Sequence, residues 1–290
     1  MLLIQLLING IIMGAVYSLA SLGFAIVYNT TKIFHIGYSA LYMIAPYFFW
    51  QLYTKLGLNI SLSIFVSIIL TMIISILIDK TIYQPLFIKK SSSNVVTISS
   101  IGVVTIIVNV IAMIFGNETK ILNSDIANTI KFSGMIVTYP QVYQFISSII
   151  IIIIFFIVLK KTNLGIIIRA FSNNDVLVQI MGINILRTRL LLFGISGIMI
   201  AIAGLSISYD VGMDPYIGMP MLLNVIVAFI IGGIGSFAGP LIGGFFIGVI
   251  QALTIWMFSS KWQSAITFII LIIFLIFRPQ GFLGKKEREV

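Results

Sequence analysis

The sequence predicts an all-α, polytopic integral membrane protein of about eight to nine transmembrane helices, some broken at Gly/Pro motifs. Three observations lead there. The 290 residues are 60% hydrophobic and only 9% charged, with a mean hydropathy of +1.17. A soluble domain has about 25% charged residues, so this chain cannot cover itself with polar surface and lipid must be its solvent. Second, the charges are confined to short segments between long uncharged runs. Third, glycine and proline interrupt two of those runs. This composition excludes a soluble enzyme, a disordered chain and a nucleic-acid-binding domain. There is no cysteine, which excludes disulfides and thiolate metal sites.

No Lys, Arg, Asp or Glu precedes Lys32, and the stretches 33–54, 56–78, 91–117, 132–159, 190–209, 215–260 and 262–277 are uncharged as well. A helical span needs about 20 apolar residues. The run 215–260 is too long for one span, and it divides at Gly232-Gly233-Ile234-Gly235-Ser236-Phe237-Ala238-Gly239-Pro240. The expected spans lie near 3–28, 36–54, 60–79, 94–116, 142–159, 189–209, 219–234, 238–258 and 262–277. The amino-terminal residues lack a basic segment, so the first run is expected to be a retained span and not a cleaved signal. The chain is expected to form one transmembrane domain over 1–290, with an inner loop at 160–188, an outer loop at about 117–141 and a tail at 279–290.

Orientation follows from Lys and Arg in short loops. Of 17 basic residues, 13 fall in one set of segments: Lys32, Lys80, Lys89, Lys90, Lys160, Lys161, Arg169, Arg187, Arg189, Arg278, Lys285, Lys286 and Arg288. The other set has only Lys55, Lys120, Lys131 and Lys261. With nine crossings the amino terminus is outside and the carboxyl terminus cytoplasmic; with eight, the amino terminus moves inside while 160–188 and the tail stay cytoplasmic.

No charge is expected near the centre of a span, where it would cost about 2.5–3.5 kcal/mol. There is no GxxxxGK[ST], HExxH or GxSxG motif and no intramembrane acidic pair. No catalytic residue, cofactor or metal is therefore expected. Gly235, Gly239 and Gly243 recur every fourth residue, as do Gly232, Ser236, Pro240, Gly244 and Gly248. On a helix these make two adjacent small-residue stripes, which let backbones approach closely in lipid. The ring of Pro240 removes one backbone donor and disfavours helix at Ala238-Gly239. The break reads either as tight packing or as a broken helix whose freed backbone lines a translocation path. The segment from His35 through Gly37, Ser39 and Tyr42 to Pro46 and Tyr47 is also small-rich and interrupted. His35 either lines a path or sits at the interface beside Lys32.

In the inner loop, Ser172, Asn173 or Asn174 is placed to cap a short helix running to about Met181, with Asp175 in its first turn and Gly182 as its stop. Leu177, Ile180 and Met181 give that helix an apolar face, suited to packing on its own spans or to docking on a cytoplasmic partner.

Arg169-Ala170, the capped helix and Met181-Gly182-Ile183-Asn184 resemble the cytoplasmic loop of branched-chain amino acid ABC-importer permeases of the LivH/LivM type. The segment Asp214-Pro215 to Gly218, followed by Gly232-Gly233-x-Gly235-Ser236-x-x-Gly239-Pro240-x-x-Gly243-Gly244, is similar to their carboxyl-terminal signature, and Gly37 to Tyr47 to their amino-terminal one. The resemblance covers nearly the whole chain in order. It implies that 1–290 is a permease domain, an inner-membrane, multi-pass subunit working with a second, identical or related permease, two cytoplasmic ATP-binding subunits and an external substrate-binding protein. It places the chain in contact with the bilayer and with no nucleic acid. It implies a path through His35, Gly37, Ser39, Tyr42 and the glycine break. It also implies a coupling loop through Gly165, Arg169, Ala170, Asp175, Leu177, Ile180, Met181 and Gly182, with the coupling helix at about 173–182. Urea, amide or sugar permeases of the same superfamily, and a stand-alone facilitated transporter or channel, are the alternatives. Outer-loop Asp210, Asp214 and Glu118 either meet a binding protein or are ordinary solvated charges.

Overall fold

The computed structural model describes residues 2–121, 129–132 and 135–284, except the side chains of 131, 132 and 175–177. Asp125 and the tail charges Lys285, Lys286 and Arg288 lie outside the described residues, as do the side chains of Lys131, Asp175 and Leu177.

The order is α1 (Leu2–Thr31), α2 (Tyr38–Trp50) with a π-turn (Gln51–Lys55), α3 (Ile60–Ile78) with a π-turn (Asp79–Tyr83), α4 (Gln84–Ile88) and α5 (Ser93–Phe115). A ribbon β1 (Thr129–Phe132) and β2 (Met135–Thr138) comes next. Then come α6 (Tyr139–Lys161), α7 (Asn163–Asn173), α8 (Asp175–Ile180), α9 (Ile185–Val211), α10 (Gly218–Gly232), α11 (Gly239–Met257) and α12 (Gln263–Phe277). All nine expected spans have a helical counterpart within a few residues. Among the described residues seven helices are long and apolar enough to cross a membrane, α3 taken on to Ile88 and α12 taken from Ser260, whereas α2 and α10 are shorter.

Lipid explains why these segments are helical. The run Ile149–Ile154 in α6 is six β-branched residues, which in water favour strand. In hydrocarbon a helix satisfies every backbone group within its own segment and an open strand does not. The ribbon departs from the expected outer loop. It is antiparallel, with Ile130 opposite Val137. Gln5 extends its edge, accepting from Ile136 N at 2.8 Å and donating to Ile136 O at 2.7 Å.

The chain groups into two compact units, and α1, α6 and α10 give residues to both. One comprises Met1–Ala25, Ser124–Ile152 and Leu223–Val290. Its frame is the packing of α1 and α10 on α11. The two small-residue stripes of α11 serve different partners. Gly239 and Gly243 lie against the backbone of Gly232 and Ala228 in α10, while Gly244 and Gly248 lie against Ser18, Gly10 and Gly14 in α1. A Cβ at Gly10 would stand 2.6 Å from the Gly248 carbonyl oxygen, so these helices touch backbone to backbone. Ser18 and Ser21 of α1 donate to the carbonyls of Leu241 (2.8 Å) and Val225 (3.1 Å).

The other unit comprises Ile26–Asn123 and Ile153–Leu222. Here α2, α3 and α9 pack on one another and α5 packs on α2. The buried face of α3 is polar. Ser63, Ser67, Thr71, Ser75 and Asp79 recur every fourth residue and all are fully buried, while Phe65, Ile73 and Leu77 face outward. Small hydroxyl residues admit α9 closely: a Cβ at Gly197 would lie 2.7 Å from the Ser75 Cβ. Ser75 Oγ donates to the Phe193 carbonyl at 2.7 Å. A four-residue repeat drifts by about 40° per step on an α-helix. The π-turn, with its wider i→i+5 closure, keeps Asp79 and Tyr83 on the same buried side.

Candidate functional site

Three groups of residues are expected to act, and each sits on a distinct piece of the chain. The glycine break joins α10 to α11. Gly233 takes φ +117°, a conformation that costs glycine little, and the chain reverses. Ser236 Oγ accepts from Gly239 N (3.1 Å) and Ala238 N (3.2 Å), giving α11 its start. The last carbonyls of α10 meet the carboxyl-terminal segment: Phe282 N donates to Ile231 O at 2.8 Å and Leu283 N to Gly232 O at 2.9 Å. A Cβ at Gly233 would run into Leu283 and Gly284. Gly232, Gly239, Gly243 and Gly244 therefore have a stated physical role in backbone packing, Pro240 opens α11 and Gly235 (φ +84°) completes the turn.

The amino-terminal group is built around His35, which is 1% exposed. It is thus not an interfacial residue beside Lys32, because aromatic rings enclose it: those of Tyr83 and Phe193 at 5.3 Å and of Tyr38 at 5.9 Å between centroids. Its Nδ1 lies 2.9 Å from Tyr83 Oη, which donates to Ser100 Oγ at 2.8 Å. Ser100 Oγ also accepts from Gly37 N at 2.8 Å. A serine of α5 thereby meets a backbone donor at the start of α2, where no side chain of α2 caps it. Ser39 Oγ donates to Ile36 O at 2.9 Å. Pro46 has no N–H to offer the Tyr42 carbonyl four residues back, and Gly204 of α9 lies directly against that carbonyl. The interruption of α2 is thus matched by a glycine on its neighbour.

The group expected in the inner loop is more helical than its sequence suggests. The helix expected at about 173–182 is present as α8 (Asp175–Ile180), and the chain ahead of it, not expected to be helical, forms α7 from Asn163 and meets α8 at extended Asn174. Thr162 caps α7 by accepting from Gly165 N at 3.2 Å. Gly165 lies under the carbonyls of Val158 and Leu159, where a side chain would not fit. Ile168 and Phe171 are buried, one turn apart, and Arg169 faces outward. In α8 Val178 is buried, whereas Ile180 and Met181 are 75% and 74% exposed. Gly182 (φ +78°) ends the turn.

Sequence reasoning misses a fourth group. By sequence, Asp79 and Arg189 are charges bounding spans. In the structure they form an ion pair of 2.7 Å with both side chains fully buried. Gln84 Nε2 donates to the second carboxylate oxygen at 3.0 Å and to Leu186 O at 3.3 Å, and the Phe87 ring lies 4.8 Å from the guanidinium carbon. A signal is present: an acid and a base each fall at the same end of two apolar runs that pack together. Elsewhere in this unit, Lys120 pairs its backbone with Met213 and stacks over Trp50 at 4.9 Å, and Tyr216 Oη donates to Asn117 Oδ1 at 3.3 Å. Among the described residues no group of His, Asp and Glu is placed to hold a metal ion.

Membrane-length helices joined by close glycine contacts, an interrupted helix pair and an exposed apolar turn define a polytopic transport-type membrane protein. Residues 6–275 match the family described as branched-chain amino acid transport system / permease component, and the chain belongs to that family. It is 26% identical to the high-affinity branched-chain amino acid transport system permease protein LivH of Salmonella typhimurium, covering 99% of this chain and 97% of that one. It has the same identity and coverage with BraD of Pseudomonas aeruginosa, whose name carries the same description. The ribose import permease protein RbsC of Haemophilus influenzae is similar over a shorter stretch, 29% identical over 45% of this chain and 42% of that one.

Proposed function

We propose that this chain is the membrane-spanning permease subunit of an ABC importer. It would form the path for leucine, isoleucine and valine, delivered by an external binding protein and driven by ATPase partners. The observation that carries this reading is the end-to-end similarity to LivH and BraD, with no long segment left over on either side. The chain lacks a P-loop motif, so on this reading ATP is hydrolysed by cytoplasmic subunits and this chain is not catalytic. It sits in a bacterial inner membrane with its carboxyl terminus in the cytoplasm, paired with a second permease.

In this account α7 and α8 transmit the ATPase stroke. Ile180 and Met181 offer an apolar knob of the kind that seats in a groove, and Arg169 is exposed on the preceding helix α7. Gly165 seats the start of α7 under the end of α6, and Ile168 and Phe171 are buried, so a push on α8 would move packed elements and not a loose loop. A zwitterion crossing such a path needs no fixed intramembrane ion pair facing it.

The test is uptake of labelled leucine into vesicles bearing the whole complex. The expected result is ATP-dependent uptake that also requires the binding protein. Arg169→Glu with Met181→Asp is expected to leave the permease inserted while lowering uptake at least about tenfold, the scale of losing about 1.4 kcal/mol of coupling. Leucine flux without ATPase partners would overturn the reading in favour of a stand-alone transporter.

A further inference from the structure

Within the unit that holds the glycine break, α1, α10, α11 and α12 share a chain of side-chain hydrogen bonds. Thr267 Oγ1 donates to Gln263 O at 2.8 Å, so toward Gln251 it acts as acceptor. That fixes the Gln251 amide: Nε2 donates to Thr267 Oγ1 (3.4 Å) and to Asn224 Oδ1 (3.1 Å). Oε1 accepts from Tyr17 Oη at 2.9 Å. Tyr17, Gln251 and Thr267 are buried. Asn224 is not; it is partly exposed on α10, and among the described residues nothing accepts from its Nδ2.

The depth makes this informative. Tyr17 lies midway along α1 and Asn224 near the middle of α10. An amide N–H left to hydrocarbon costs several kcal/mol, and polar groups at membrane depth face a bundle interior or a water-filled cavity. Gln251 occupies one of the two lone pairs of the Asn224 oxygen, whereas among the described residues both N–H groups of that amide are unused. The open side of the amide therefore offers mainly donors and suits an anionic acceptor.

We propose that Asn224 faces the translocation path and donates to the carboxylate of the amino acid in transit, with Gln251 as its positioning residue. The ligand assignment rests on the importer reading above; the placement on the path does not.

The chain has no cysteine, so Asn224→Cys gives it a single thiol. In the assembled importer that thiol is expected to react with a small, membrane-impermeant methanethiosulfonate reagent in at least one nucleotide state. Asn224→Leu is expected to lower leucine flux about tenfold or more, the scale of a hydrogen bond to a charged group, while binding-protein-stimulated ATP hydrolysis persists. Gln251→Met should lower flux in the same direction. No labelling in any nucleotide state would overturn the placement and put Asn224 against lipid or another subunit. Unchanged leucine flux in Asn224→Leu would overturn the contact. Wild-type leucine uptake in the same vesicles separates the two readings: its absence would sink the importer assignment, leaving the labelling result to judge the placement.

Discussion

Replacing Arg189 with Met isolates what the buried ion pair contributes. In the folded protein Arg189 Nη2 and Asp79 Oδ1 are 2.7 Å apart and neither side chain reaches solvent. The substitution keeps an unbranched side chain that can still pack on Phe87, where a thioether contact offsets part of the lost cation–π interaction. It leaves the Asp79 carboxylate buried with Gln84 as its remaining hydrogen-bond partner. Removing one member of a buried pair costs about 3–5 kcal/mol, which is about two to three and a half orders of magnitude in the unfolding equilibrium. Asp79→Asn, which preserves volume and an acceptor oxygen, should fall at the lower end. The double variant leaves no buried charge and should return to within about 1 kcal/mol of the parent, because an apolar replacement of such a pair is often neutral. The assay is unfolding by SDS in mixed micelles, followed by fluorescence of the three tryptophans. A loss below about 1 kcal/mol for Arg189→Met, or a double variant as unstable as the sum of the singles, would mean that the two side chains do not act as a coupled buried pair.

Other expectations follow from the helix contacts. Gly248→Leu would drive a side chain into the Gly10 and Gly14 backbone. It should cost about 1–3 kcal/mol or more and be read as a lower folded yield in detergent, whereas Gly102→Ala, with open space around it, should leave the yield unchanged. Ser236→Ala removes the oxygen that meets Gly239 N and Ala238 N and should destabilise by about 1 kcal/mol, the net worth of such hydrogen bonds, measured in the same SDS titration. Ser100→Ala strips the acceptor shared by Tyr83 and Gly37. An effect of about 1–3 kcal/mol is expected, with Ser100→Thr restoring most of it.

The apolar segments are legible because lipid leaves helix as the outcome for any long uncharged run, whatever its β-propensity. The four-residue glycine spacing also announces close helix packing, and the structure assigns one stripe to α10 and the other to α1. What stays hidden depends on contacts distant in sequence. Asp79 and Arg189 are 110 positions apart, and each alone looks like an orientation charge at a span end. The Ser63-Ser67-Thr71-Ser75 repeat is a visible stripe that points to Asp79, masked by the apolar run around it. The start of α7 reads as connector, although Thr162 and the pair Ile168 and Phe171 carry a cap and an apolar face. His35 cannot be placed from sequence, since the rings that bury it come from other elements. The seating of Phe282 and Leu283 on the end of α10 has no sequence signal at all.

On the importer reading this chain works as one part of a larger machine. The most direct measurement is purification of the tagged chain from its native membrane in mild detergent, with the co-purifying proteins identified by mass spectrometry. ATP-binding subunits and a second permease are expected to come down together with it, and the Arg169→Glu/Met181→Asp variant is expected to lose the ATPases while keeping the permease partner. A monodisperse chain recovered alone, with leucine still crossing reconstituted vesicles, would contradict it.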